Sequence, residues 1–296
     1  MDTSLVAIAL LCSLLGASGQ VVGNVAGKPV VKKVTPIVIP PAAAKLFNRP
    51  AYGFTASYYG GQTDGGSCGY GSAQQSGYGV ATASASTPLY AAGLNCGACF
   101  TMSCQGSQRC LPGNTPMLTV TNLCKAATGP CSGNKRSWSL APDVWNGIAV
   151  NPNVGVVPVR VTRVPCQRAG GVQFKVLVGN PYYLEVLISN VAGSVDLAKV
   201  EVLVQGVGYW QPMKHDYGAV YSISGTNLAN VNFSFRLTSG YYRESIVIPN
   251  AISGMYEPGV VLDTNVNFKL AAPRPVVLRG RKIMEESTNA TLLISE

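Results

Sequence analysis

Nine cysteines occur in 296 residues, and eight of them crowd into one stretch: Cys68, Cys96, Cys99, Cys104, Cys110, Cys124, Cys131 and Cys166. The ninth, Cys12, lies in an apolar run from Leu5 to Leu15 that is broken only by Ser13. Small residues Ala17-Ser18-Gly19 follow it. Such a run is too short to span a bilayer and reads as a secretory signal over residues 1–19, removed together with Cys12. In an oxidising compartment the remaining even set predicts four disulfides, with about 105 possible connectivities that spacing does not choose among. No cysteine follows Cys166, so cysteine usage places a domain boundary just after it.

The length allows two domains, each with its own core. Hydrophobic residues make up 47% and charged residues only 12%, which excludes a disordered chain. The 33 Gly, 19 Pro and abundant β-formers predict β-structure broken by many turns. Residues 20–50 read as a Pro- and Lys-rich linker. Residues 51–168 form the cysteine-bearing domain. Its start is glycine-rich and reads as loops, with strands over Met117 to Asn122 and Val157 to Thr162 and short helices over Pro88 to Ala92 and Leu140 to Ile148. Residues 169–272 carry successive strand patterns. The clearest is the strict alternation Val231-Asn232-Phe233-Ser234-Phe235-Arg236-Leu237, and together they suggest a β-sandwich. Residues 273–296 have no clear period and read as a disordered tail. Asn232 and Asn289 head glycosylation sequons, with Asn232 expected on the solvent face of its strand.

Several chemistries can be weighed on residue types alone. A glycosidase needs a protonated and an ionised carboxyl flanking the bond. The first domain holds only Asp64, in a glycine loop, and Asp143, at the start of a short helix where a turn or helix-dipole role suffices. Gly65-Gly66-Ser67-Cys68-Gly69 fits G-x-S-x-G but lacks the strand-turn-helix context, and the one histidine, His215, lies in the other domain. Cys96-Gly97-Ala98-Cys99 fits C-x-x-C, yet six further cysteines in a secreted chain favour structural disulfides over zinc or redox chemistry. No catalytic residue, metal or cofactor is therefore expected. Binding is better supported. Tyr182, Tyr183, Trp210, Tyr217 and Tyr221 offer flat rings to the C–H faces of sugars. If Tyr182 and Tyr183 share a strand, one faces out and the other is core.

The ordered set Cys68-Gly69-Tyr70-Gly71, Leu94-Asn95-Cys96-Gly97-Ala98-Cys99-Phe100, Thr121-Asn122-Leu123-Cys124, Arg163-Val164-Pro165-Cys166, Leu187-Ile188-Ser189-Asn190-Val191-Ala192-Gly193 and Gly208-Tyr209-Trp210-Gln211-Pro212-Met213 resembles the expansin family, especially its α-type, over about 52–268. The resemblance implies an all-β chain: a six-stranded double-psi β-barrel followed by an immunoglobulin-like, cellulose-binding β-sandwich. It also implies a secreted protein of the plant cell wall that loosens contacts between cellulose and matrix glucans at acidic pH without hydrolysis. The platform role carries to Tyr182, Trp210 and Tyr217, and Ser57, Tyr59, Asn122, Trp138 and Ser139 match a groove in the barrel. One departure stands out. The family usually has His-Phe-Asp before Leu, where this chain has Ser137-Trp138-Ser139 before Leu140, so Ser139 holds the Asp position. The expected partners are cellulose, matrix glucans and pectin, with no nucleic acid, no transmembrane segment and a monomeric state. Pectin enters because residues 51–168 hold seven basic and two acidic side chains. A wall-binding or defence module that does not loosen, and an unusual hydrolase, are the rival readings.

Overall fold

The computed structural model describes residues 49–269 except 62, 64, 226 and 242. The expected signal, most of the linker, Asn289 and the tail therefore lie outside the described residues. Six strands close into a barrel: β1 (Pro50–Tyr58), β2 (Thr82–Ser86), β3 (Cys99–Cys104), β4 (Met117–Cys124), β5 (Ser137–Leu140) and β6 (Val157–Val164). Their order is β1-β5-β2-β4-β3-β6, with β1–β5 and β2–β4 parallel and the other pairs antiparallel.

Strand alternation decides what fills the barrel. Ala56, Trp138, Ala85, Ala83, Leu140 and Val120 are cross-strand neighbours and are almost fully buried. Val157, Val159, Val161 and Met102 close the far side of the same interior. The alanines leave room for the Trp138 ring, which packs 5.0 Å from Phe100. Burying a ring of that size stabilises by about 5 kcal/mol at the usual apolar coefficient.

Two short helices differ from the sequence reading. The first, α1, is Thr87–Tyr90 with Ser86 rather than Thr87 at its N-cap, and it runs into a 3-10 turn, Ala91–Gly93. The second, α2, is Pro142–Asn146; Leu140, expected in this helix, ends β5 instead, because the Ser137–Leu140 alternation feeds the barrel interior.

The second half is a sandwich. One sheet has β10 (Gln211–Pro212), β9 (Leu197–Val204), β13 (Phe233–Ser239) and β14 (Ser245–Ile252) in that order. The other has β11 (Lys214–Tyr217), β12 (Val220–Ser224), β8 (Tyr183–Ser189), β7 (Gln173–Asn180) and β15 (Val261–Asp263). Phe233, Phe235 and Leu237 turn inward as expected, and Phe235 meets Phe174 of the opposite sheet at 4.4 Å. Asn232 precedes the strand and is half-buried, and its Oδ1 accepts the Gly254 N–H at 2.9 Å. Its expected solvent-facing strand position is corrected accordingly.

Four disulfides join Cys68–Cys96, Cys99–Cys166, Cys104–Cys110 and Cys124–Cys131. The two cysteines of the C-x-x-C motif therefore bond to different partners, and the motif is not a dithiol pair. Barrel and sandwich share a packed joint. The Ala219 N–H donates to the Cys68 carbonyl at 3.0 Å, and the Asn190 N–H donates to the Tyr78 hydroxyl at 3.1 Å. Gly93 and Gly218 let two backbones touch: a Cβ on Gly218 would lie 2.4 Å from the Ser67 carbonyl oxygen.

Candidate functional site

On β1, β5, β2 and β4 the positions turned away from the barrel interior carry a row of hydroxyls, most of it covered: Thr82, Ser84 and Ser139 are each at most 6% exposed. Because Ala56, Trp138, Ala83 and Ala85 point inward, their neighbours Ser57, Ser139 and Ser84 point outward, and the register sets Ser57 beside Ser139 and Ser139 beside Ser84. Asn122 on β4 is the partner of Ser84 on its other side. Ser57 donates to the Trp138 carbonyl at 3.4 Å, and Tyr59, exposed at the end of β1, donates its N–H to the Leu140 carbonyl at 2.9 Å. Thr63 donates to Thr82 at 2.7 Å and also touches the Thr121 hydroxyl. The Ser84 hydroxyl is buried with no hydrogen-bond partner.

The structure places Ser57 on β1 beside Ser139 on β5, and Asn122 on β4 with β2 between it and Ser139, while Tyr59 follows the end of β1. Trp138 is different. It is 1% exposed inside the barrel and offers no ring to a groove. Its place in the Ser-Trp-Ser-Leu alternation fixes this, since it shares a face with Leu140. Ser139 is mostly covered, at 6% exposure. Asn122 serves the loop above it: its Oδ1 accepts the N–H groups of Ser67 at 2.8 Å and Leu123 at 2.7 Å. Gly66 must be glycine there, because a Cβ would fall 2.4 Å from Asn122 Cγ. Asn122→Ala should free both N–H groups and lower stability by about 1–2 kcal/mol, read as a drop in the thermal midpoint. An unchanged midpoint would show that the loop does not depend on this clamp.

Carboxylates are scarce around this face. Asp143 is exposed in the first turn of α2, and Asp64 lies outside the described residues. Ser67 is held in its loop by its N–H to Asn122, and its carbonyl accepts the Tyr90 hydroxyl at 2.6 Å. His215 stacks on Tyr221 at 4.8 Å, with its Nε2 placed 2.8 Å from the Gly218 carbonyl. Among the described residues no group of His, Cys, Asp and Glu is placed to hold a metal ion.

In the sandwich the inward positions Leu184, Val186 and Ile188 set Tyr183 and Glu185 on the outward face of the five-stranded sheet. Tyr182 occupies the β7–β8 turn at 67% exposure, with its N–H donated to Asn180 Oδ1 at 2.9 Å. Tyr183 is half-buried, and its hydroxyl donates to Glu185 at 3.0 Å. Both tyrosines reach the surface, so the expectation that one of them is core is corrected: the turn, not a shared strand, sets Tyr182. Tyr217 on β11 is opposite Val220, itself opposite Leu187, which puts it about 13 Å along the strands from Tyr183. Gly69 of the barrel packs beside the Tyr217 ring; a Cβ there would sit 3.6 Å from it. The same outward face bears Ser222 and the ion pair Lys214–Asp216 at 2.7 Å.

Trp210 does not join this row. Its ring lies 4.8 Å from the Arg236 guanidinium, which stands on the outward side of the other, four-stranded sheet. The placement of Trp210 beside Tyr182 and Tyr217 is corrected, since the tryptophan enters β10 and that strand pairs with β9. Tyr221 is core, at 6% exposure. Sequence reasoning missed Tyr209 at 66% exposure and the covered hydroxyl row Thr82, Ser84 and Thr121. The Thr-Ala-Ser-Ala-Ser alternation of β2 was the available signal for that row.

With this geometry in hand, comparison with known proteins is specific. The Expansin C-terminal domain model matches residues 172–253. Expansin-A7 of Arabidopsis thaliana is 35% identical over 225 residues, covering 72% of this chain and 84% of its own length. Putative expansin-A26 of the same plant is 38% identical over 231 residues, covering 75% and 80%. Putative expansin-A30 of Oryza sativa subsp. japonica is 35% identical over 227 residues, covering 72% and 84%. Among solved structures, the apo expansin of Clavibacter michiganensis superposes with a TM-score of 0.59 at 17% identity, covering 76% of this chain and all of that one. A point variant of that bacterial protein, in complex with cellohexaose, gives 0.58 at 17% identity.

Proposed function

The chain belongs to the expansin family, and from that premise we propose that it is a secreted protein of the plant cell wall that loosens non-covalent contacts between cellulose and matrix polysaccharides without cutting a glycosidic bond. The sandwich adheres to cellulose through Tyr182, Tyr183 and Tyr217. The related bacterial protein captured with cellohexaose supports a glucan as ligand. The barrel holds a second polymer along the edge that Ser57, Tyr59 and Asn122 leave open beside the covered Ser139 and Ser84.

One observation carries the non-hydrolytic reading. The position of the family's usual Asp is Ser139, set between Ser57 and Ser84 in a row of hydroxyls. Hydroxyls donate and accept hydrogen bonds with sugar hydroxyls, but near neutral pH they neither protonate a leaving oxygen nor activate water as paired carboxyls do. The rings supply apolar faces and the disulfides hold the loops, so binding strength comes with little ordering cost. Competing with polymer–polymer hydrogen bonds then needs no covalent step.

The test is creep of heat-killed walls under load with purified protein, run beside a reducing-sugar assay. The expected result is extension at acidic pH with no sugar release. Accumulating oligosaccharides would overturn the reading. The double change Tyr182→Ala/Tyr217→Ala should weaken retention on cellulose at least about ten-fold, and unchanged retention would remove the platform from the mechanism. A second reading, a wall-binding module without loosening, is favoured by the same Ser139. It predicts cellulose retention without creep, and a gain of creep in Ser139→Asp.

A further inference from the structure

We propose that the barrel groove takes a carboxylate-bearing polysaccharide, a uronate chain, in preference to a neutral glucan; this rests on the groove reading above. The first ground is the rim. Asn122 stands three residues before Lys125, and Ser139 three residues after Arg136, so the segment between β4 and β5 flanks the floor at one end, about 10 Å along the strands. Lys125, Lys135 and Arg136 are all exposed, and from Leu118 to Pro142 the sequence contains no Asp or Glu.

The second ground is rigidity. The Cys124–Cys131 disulfide closes this segment, and a bridge joins Ala126 to Ser132. Ser132 donates to the Gly129 carbonyl at 2.8 Å, and Lys135 Nζ donates to the same carbonyl at 3.0 Å. Arg136 rests over the Phe54 ring at 4.0 Å. Lys135 and Arg136 are thereby held in place, so less of their side-chain freedom is lost when an anion arrives, while Lys125 adds an exposed charge beside them.

The third ground is the floor. With serine at position 139 and asparagine at 122, the floor is uncharged where a carboxylate would repel an anionic chain, and Ser57 is the hydroxyl of the row that stays partly open while Ser139 and Ser84 are covered. The outward sandwich face is built differently. There Lys214 is already paired with Asp216 at 2.7 Å and Glu185 accepts from Tyr183, so cation and carboxylate offset one another among the rings. A charged rim on a neutral floor selects an acidic polymer for the barrel, while the balanced ring face suits a neutral one.

The experiment measures retardation of the full chain by polygalacturonate, by fully methyl-esterified polygalacturonate and by neutral xyloglucan, across ionic strength. Retention on cellulose is measured in parallel. Polygalacturonate should retard the parent most, and added salt should abolish the difference. Lys125→Gln/Lys135→Gln should weaken that binding about three- to ten-fold. Arg109→Gln/Arg243→Gln, which lowers the net charge equally at exposed sites elsewhere, should change it less than about two-fold. Ser139→Asp should weaken it as well. Cellulose retention should hold in every variant, so a failure of the uronate arm stays separate from a failure of the platform. Equal losses in the two charge-matched doubles, equal binding of the esterified polymer, or stronger binding of xyloglucan would each overturn the proposal.

Discussion

Replacing Cys99 and Cys166 together by alanine lowers the unfolding free energy by about 4 kcal/mol, whereas the same change at Cys104 and Cys110 costs about 2 kcal/mol. The difference follows from loop length. The first bridge closes a separation of 67 residues and the second only 6, and the entropy removed from the unfolded chain grows with the logarithm of the loop. Position adds to the contrast. Cys99 begins β3, and Cys166 lies beyond β6, where its N–H donates to the Gly193 carbonyl at 2.8 Å and its carbonyl accepts the Gly193 N–H at 2.9 Å. Arg168 reaches from the same segment to the Gly97 carbonyl and the Thr119 hydroxyl, both at 3.2 Å. The bridge thus ties the last barrel strand to the joint with the sandwich. A calorimetric midpoint about 10 °C below the parent is expected for the long-loop variant. Midpoints that fall equally in both variants would show that loop closure is not the source of the stabilisation.

How far these features could be read before the structure depended on whether each signal was local. Strands β8 and β9 carry runs of β-branched and leucine residues and were legible at their full length. Strand β2 was not, because Thr82-Ala83-Ser84-Ala85-Ser86 lacks bulk, and alanine is poor evidence for a strand. Its inward alanines make sense only once Trp138 is seen to need the space they leave. Trp138 itself was legible in principle, since its alternation with Leu140 assigns it to the interior. Trp210 was not, because its sheet is set by the order β10-β9-β13-β14, which joins strands distant in sequence. The disulfide pairing was closed to inspection for the same reason. What spacing could give was the even count. The floor was half legible: Ser57, Asn122 and Ser139 came from the family motif, but the hydroxyl row joining them belongs to the register of four strands.

The ion pair beneath Trp210 carries the other large effect. Glu201 is 4% exposed and accepts two hydrogen bonds from Arg236, both at 2.6 Å, with Lys199 Nζ 2.7 Å away. The Arg236 hydrogen bonds, helped by those of Lys199 against the cost of burial, hold its carboxyl down from 4.5 to about 2. Because the folded value is the lower one, the pair stabilises the fold fully above the unfolded value, and that contribution is lost as pH falls through the folded one. Arg236→Ala should therefore cost about 2 kcal/mol near neutral pH, since it removes two charge-assisted hydrogen bonds and leaves the carboxylate to Lys199 and to the water that enters in place of the arginine. The deficit relative to the parent should shrink between about pH 4.5 and about pH 2. Adding Glu201→Gln to that variant should recover much of the loss, because a neutral amide has no charge to strand. Denaturant titrations of the four members of this cycle across pH supply the check. A deficit that stays constant as pH falls would mean that Arg236 acts through its stack with Trp210 and not through the carboxylate below it.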